Sequence, residues 1–228
     1  MSKEKILSIA IVVVVIGAIV GFSVYGLNKN KKVETPVVVT AAATVNGEDI
    51  LQSDFDTQYA TALASLKAQG SDATSTEAVA TLKKQVLDGL ISNKLVAQGI
   101  VSSGIKVAPE DVEKQYQAIL TQAGGAEKLA EQLKTANLTE AQLRTNITNQ
   151  LAIQSFLLKN VDISTATATE AEIKKFYDDN VKGQKNPPAY KDVKEQIKQQ
   201  IINNKQQLLV NAFIESLKAK AIIKINTQ

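Results

Sequence analysis

A serine followed three residues later by a lysine is the spacing at which an amine can relieve a hydroxyl nucleophile of its proton. The sequence has it twice, at Ser2/Lys5 and at Ser103/Lys106. The first precedes a long apolar run, and the second follows a helix end with no companion motif, so both read as structural. Glu48, Asp49, Asp54 and Asp56 crowd within nine positions and have the type of donor that holds a hard cation. They lack the glycine and terminal glutamate of a calcium loop, so turn and helix-start duty is the better reading. Asp178-Asp179 reads as a solvated helix end. Asn137-Leu138-Thr139 and Asn146-Ile147-Thr148 fit the glycosylation pattern, which is common by chance, and the second falls inside a helical stretch.

Absent residue types exclude more than present ones suggest. The 228 residues include no Cys, hence no disulfide, thiolate nucleophile or Cys-ligated zinc, and no His, hence no imidazole proton shuttle, triad or His-ligated metal. No cofactor is expected. Trp is absent and aromatics are 4%, which leaves little for stacking on sugars or bases. The formal charge of +3 sits in residues 1–35, and the other 193 residues carry 21 positive and 21 negative side chains. A balanced body has no global field for phosphate backbones, and Arg144, as the lone arginine, offers almost no bidentate donors. Nucleic-acid binding is therefore not expected. Composition favours a binding or structural protein over an enzyme.

The elements that would position any site begin with an anchor. Ile6–Leu27 is 22 residues without a charge, flanked by lysines, with Tyr25 near one end. At about 1.5 Å per residue it spans roughly 30 Å as a helix, the depth of a bilayer core. A cleaved signal peptide has a shorter apolar run with a small-residue site close behind, whereas here Asn28–Lys32 follows and Ala41-Ala42-Ala43 lies well beyond. An uncleaved transmembrane helix is expected. Flanking lysines nearly balance, so charge does not set its orientation.

After the anchor (1–28) comes a linker (29–41), in which Val37–Val39 reads as tether more than strand. Val45 and Ile50 flank Asn46-Gly47, a pair suited to a type I′ turn, so a hairpin is expected there. Ser53 is expected to cap a helix with Phe55, Tyr59, Leu63 and Leu66 on one side, and Thr76 to cap the next, which runs to about Val101. Pro109 opens a helix carrying Val112, Tyr116 and Ile119, and Gly124-Gly125 breaks it. Ala126–Lys134 is a short helix with Leu129 and Leu133. Thr139 opens a longer one with Leu143, Ile147, Leu151 and Leu158 inward, and Thr169 one that ends near Asn180. Gly183, Asn186, Pro187 and Pro188 make 181–189 a break. Tyr190–Ala219 is one long helix, with Val193, Ile197, Ile201, Leu209, Phe213 and Leu217 as its apolar stripe, and Ala221–Ile225 is a strand. Its available partner is the segment near Val45, so the two ends of the body are expected to pair.

This order resembles the SurA/PrsA-type extracytoplasmic chaperones. The resemblance is carried by VNGEDILQSDF (45–55), by LKKQVLDGLISNKLVAQGIVSSGIKVAPEDVEKQY (82–116), and by GGAEKLAEQLKTANLTEAQLRTNI (124–147). It continues in TEAEIKKFYDDN (169–180), AYKDVKEQIKQQI (189–201) and FIESLKAKAIIKI (213–225). Together these cover about 180 residues in the family's order. The family often carries a parvulin prolyl-isomerase module between the fourth and fifth stretches, where this chain has only Val181–Ala189, and parvulin sites usually include histidines.

The resemblance implies a mainly α fold. A transmembrane helix would precede a SurA N-domain-like multi-helix body over 42–228, comprising an N-terminal part (42–180), a connector (181–189) and a C-terminal helix and strand (190–228). A small sheet would join the N-terminal hairpin to the C-terminal strand. The implied function is a bacterial membrane-anchored chaperone, body outside and short tail in the cytoplasm, that binds unfolded or newly exported polypeptides without catalysis. The alternatives are a peptidyl-prolyl isomerase-family foldase and a membrane-tethered adaptor for one fixed partner. Apolar residues of the middle helices, Tyr116, Ile119, Leu120, Leu129, Leu133 and Leu138, are the candidates for peptide binding.

Overall fold

The computed structural model describes residues 40–70 and 75–226. The expected span Ile6–Leu27 and the Val37–Val39 segment lie outside these residues. Among the described residues no helix is long and apolar enough to cross a membrane.

Strand β1 (Ala41–Val45) turns through Asn46-Gly47 into β2 (Glu48–Leu51), with φ of 51° and 84° at the two turn residues. Positive φ at both is what a two-residue hairpin needs to match the strand twist, and Asn-Gly is the pair that tolerates it most readily. Strand β3 (Ile223–Ile225) pairs antiparallel with the other side of β1, setting Val45 opposite Ile223 and Ala43 opposite Ile225, so the sheet order is β2-β1-β3. The expected pairing of the segment near Val45 with the C-terminal strand is present. Alternation along β1 sends Ala43 and Val45 into a core with Ile50, Ile91 and Leu95, and Val45 is completely buried. Burying such a side chain contributes about 1.5–3 kcal/mol.

Seven α-helices follow among the described residues: α1 (Gln52–Ala68), α2 (Thr76–Ser102), α3 (Pro109–Ala123), α4 (Ala126–Thr135), α5 (Glu140–Asn160), α6 (Glu170–Asn180) and α7 (Tyr190–Lys220). Their ends show the local chemistry at work. Pro109 sits in the first turn of α3, and Gly124 ends it in the left-handed region at φ 87°, with the Gly125 N–H reaching the Leu120 carbonyl. Thr139 and Thr169 each form a capping box, with Gln142 and Glu172 respectively.

Four expectations need correction. Ser53 does not cap α1: strand β2 passes straight into the helix, Leu51 is the N-cap, and the Gln52 N–H is satisfied by the Thr40 carbonyl. Helix α2 is capped one residue earlier than Thr76, because the Ser75 hydroxyl accepts from the Ala78 N–H. Leu158 points outward: at that end of α5 the neighbours lie on the side of Phe156 and Leu157, which are buried in its place. The final strand is also shorter than Ala221–Ile225, since the Ala221 N–H still closes a turn of α7 on Lys218.

The chain divides into two compact units. Among the described residues one is Gly99–Phe213, and the other comprises 40–70, 75–98 and 214–226. The second contains the sheet, α1, most of α2 and the end of α7. Its chain ends are laced together: Asn46 N–H donates to the Ile222 carbonyl, Ile222 N–H donates to Asn46 Oδ1, and Asn226 N–H donates to the Ala42 carbonyl. The first contains α3 to α6 and most of α7, with Gly99 of α2 set against the Phe156 ring.

Candidate functional site

The six candidate residues fall in Gly99–Phe213, on α3, α4 and the turn after α4. Five of them join one cluster. Tyr116, Leu129 and Ile147 are buried together, and Ile119, Leu120 and Leu133 pack against them half-buried, along with Val112, Ala123, Leu143 and Leu151. Sequence spacing explains the grouping: Val112, Tyr116 and Ile119 share one side of α3, and Leu129 and Leu133 one side of α4. Leu138 is different. It is 37% exposed, and its N–H closes the end of α4 on the Leu133 carbonyl while Asn137 takes a positive φ of 52°.

The cluster has a charged lid. The Arg144 guanidinium carbon is 3.9 Å from the Tyr116 ring centroid. Its Nη1 is 2.7 Å from Glu113 of α3, and its Nε 2.9 Å from Glu140 one turn back on α5. The Gln117 amide donates to Glu113, which with Arg144 holds that carboxyl below its usual range. Desolvation, and then the nearby Glu140, push the Tyr116 phenol up. Bonds to Glu113 and Glu140 raise Arg144 further, so the cation is permanent. This lid was not foreseen. The i,i+4 spacing of Glu140 and Arg144 was the available signal, but nothing local pointed to Tyr116 or Glu113.

Ser2 and Lys5 lie outside the described residues, and the acidic residues considered for chemistry have structural work. Glu48 pairs with Lys94 at 2.8 Å, Asp49 accepts from the Thr44 hydroxyl, Asp56 accepts from Gln52, and Asp54 lies in the first turn of α1. No group of acidic side chains able to hold a metal ion occurs among the described residues. Asp178 and Asp179 pair with Lys174 and Lys175 one turn back. Between α6 and α7 the nine residues 181–189 form a closed joint: the Tyr177 hydroxyl donates to the Pro188 carbonyl, Tyr190 meets Tyr177 edge-on at 5.3 Å, and the Tyr190 hydroxyl donates to Glu170.

The described residues are mainly helical, with one three-stranded antiparallel sheet. The chain belongs to the SurA-like N-terminal domain family, which it matches over residues 1–157. It is 30% identical over 178 residues to the Foldase protein PrsA of Clostridium kluyveri, covering 70% of this chain and 51% of that protein. To the Foldase protein PrsA of Clostridium perfringens it is 27% identical over 191 residues, covering 78% and 52%. The chain thus spans about half the length of the curated relatives it matches. A solved chain from Campylobacter jejuni superposes with a TM-score of 0.55 at 17% identity, over 82% of this chain and 99% of its own. It comes from a description of the virulence factor PEB4 and the periplasmic protein Cj1289 as two structurally related SurA-like chaperones. That likeness is one of fold.

Proposed function

We propose that this protein is a membrane-anchored chaperone module that holds unfolded or newly exported polypeptides outside the cytoplasm and catalyses nothing. The observation that carries the proposal is the SurA-like family match together with an apolar cluster in which Ile119, Leu120 and Leu133 are only partly buried, and an exposed Leu138 in the turn that follows. Partly exposed apolar side chains on a helical frame suit weak, sequence-tolerant contact with extended apolar segments. Tyr116 and Leu129 would form the floor and the others the contact surface.

The PrsA relatives carry the name foldase, which keeps prolyl isomerisation as the alternative. Against it stand the absence of histidine from the sequence and the nine-residue joint between α6 and α7. Nine residues reach at most about 32 Å extended, too little chain to build a domain there. The barrier to lower is ~18–20 kcal/mol, which calls for a shaped, water-excluding pocket.

Two assays on residues 36–228 test the proposal: aggregation of a denatured client, and isomerisation of a short X-Pro peptide. Suppressed aggregation with unchanged isomerisation is expected. Acceleration of isomerisation would establish the foldase reading, and failure to protect several unrelated clients would favour an adaptor with one partner. The anchor is tested separately by adding protease to intact spheroplasts: residues after Lys32 should be degraded, and full protection would place the body inside.

A further inference from the structure

The turn that joins β1 to β2 is the sequence's single Asn-Gly step. Such a step is the least hindered place for a backbone nitrogen to attack a side-chain amide, because glycine puts no side chain in the way. In this fold both ends of the Asn46 side-chain amide are engaged elsewhere. Its Oδ1 accepts from the Ile222 N–H at 2.9 Å, and its Nδ2 donates to Gln98 Oε1 at 2.9 Å. Gln98 is itself fixed, its Nε2 donating to the Val45 carbonyl at 3.0 Å.

The geometry points to Asn46 as a deamidation site that is locked while β3 is in place and reacts when β3 leaves. In the reaction, the Gly47 nitrogen gives its proton to solvent and attacks Asn46 Cγ. The new N–Cγ bond forms as the Cγ–Nδ2 bond breaks, and Nδ2 departs as ammonia. The resulting succinimide adds one water and opens at either carbonyl, giving aspartate or isoaspartate. The sum is amide plus water to carboxylate plus ammonium, with no change of oxidation state. Reaching this geometry requires Cγ to swing back toward Gly47, which both amide hydrogen bonds oppose.

The product does not refit the junction. A carboxylate at position 46 cannot donate to Gln98 Oε1. If Gln98 turns its amide to donate instead, it loses the Val45 carbonyl. Glu48, which pairs with Lys94 at the start of β2, adds a second negative charge nearby. Opening of the chain ends is thereby converted into a permanent loosening of β3.

The test ages the full chain in detergent at mildly alkaline pH, with and without concentrated urea, and maps the mass gain of about one dalton by peptide digestion. A peptide spanning residues 44–49 in both media supplies the intrinsic rates. Relative to that peptide, deamidation at Asn46 should be at least about tenfold slower in the folded chain and unprotected in urea, as expected where reaction proceeds through local opening. Asn46→Asp, and the deamidated fraction of aged wild type, should both exchange amide hydrogens faster across 222–226. Equal rates in folded and unfolded chain would overturn the lock. Unchanged exchange in both altered forms would overturn its consequence.

Discussion

Arg144 stands over the Tyr116 ring, 3.9 Å from its centroid, with Glu113 and Glu140 at its nitrogens. This one side chain ties α5 to α3 across the top of the apolar cluster. A cation over an aromatic face contributes about 0.5–2 kcal/mol, and exposed ion pairs about 0.2–1 kcal/mol each. Arg144→Met should therefore lower the urea midpoint of unfolding. Arg144→Lys should recover part of it, since an ammonium keeps the charge and loses the planar fork. A double-mutant cycle with Tyr116→Leu should show coupling between the pair; additive effects would mean the ring contact contributes nothing.

Acid should weaken the protein at a defined joint. Lys205 donates to Glu172 at 2.6 Å, and the Thr169 backbone adds a second bond. In that order these hold the Glu172 carboxyl down, from the ordinary 4.5 to about 2. A carboxyl depressed in the folded state gives stability that is present above its unfolded value and lost as pH falls toward its folded one. The loss should therefore run from about pH 4.5 to about pH 2. Urea midpoints measured over this range should fall, and Glu172→Gln should flatten the fall. An identical slope in the variant would remove Glu172 from the account.

Gly99 should not tolerate even alanine. A Cβ there would meet the Phe156 ring, with Cε2 at 2.9 Å and Cε1 at 3.0 Å. Phe156 is itself backed by Phe213, ring centroids 5.6 Å apart, so it has little room to give way. Gly99→Ala should cost about 1–3 kcal/mol, the usual range for an overfilled core, despite its better helix propensity. Adding Phe156→Leu should relieve part of the cost, and thermal melts of the three variants decide it.

Removing residues 221–228 should expose more than a tail. Without β3, one edge of β1 loses its ladder, and Ala43 and Val45 lose the cover of Ile223. Amide exchange should then rise at 41–51 as well. A hairpin as protected as before would show that β1 and β2 stand without it.

Most of this framework was readable because the sequence punctuates itself with residues of narrow conformational meaning. Asn46-Gly47, Pro109, Gly124 and Thr139 each set a boundary through local sterics or one hydrogen bond. What was not readable depends on partners distant in sequence. Gln206 and Val210 are buried in α7, whereas a four-residue stripe points to Leu209. Over 31 residues such a stripe drifts around the axis, and the neighbours decide which side is covered. The candidate cluster was legible as apolar faces on α3 and α4, but Arg144 as its lid was not. Its partners Tyr116 and Glu113 belong to another helix, 28 and 31 positions away.

The pairing of Asn46 with Ile222 also sets a clock on biogenesis. The two residues are 176 positions apart. A ribosome adding about 5–20 residues per second delivers the second roughly 9 to 35 s after the first. During that interval β1 waits with one edge bare and Val45 uncovered by its later partner. Bare strand edges are what extended chains pair with. A protein emerging amino-end first thus passes through a stage when its own hairpin needs the kind of shelter it is proposed to offer others.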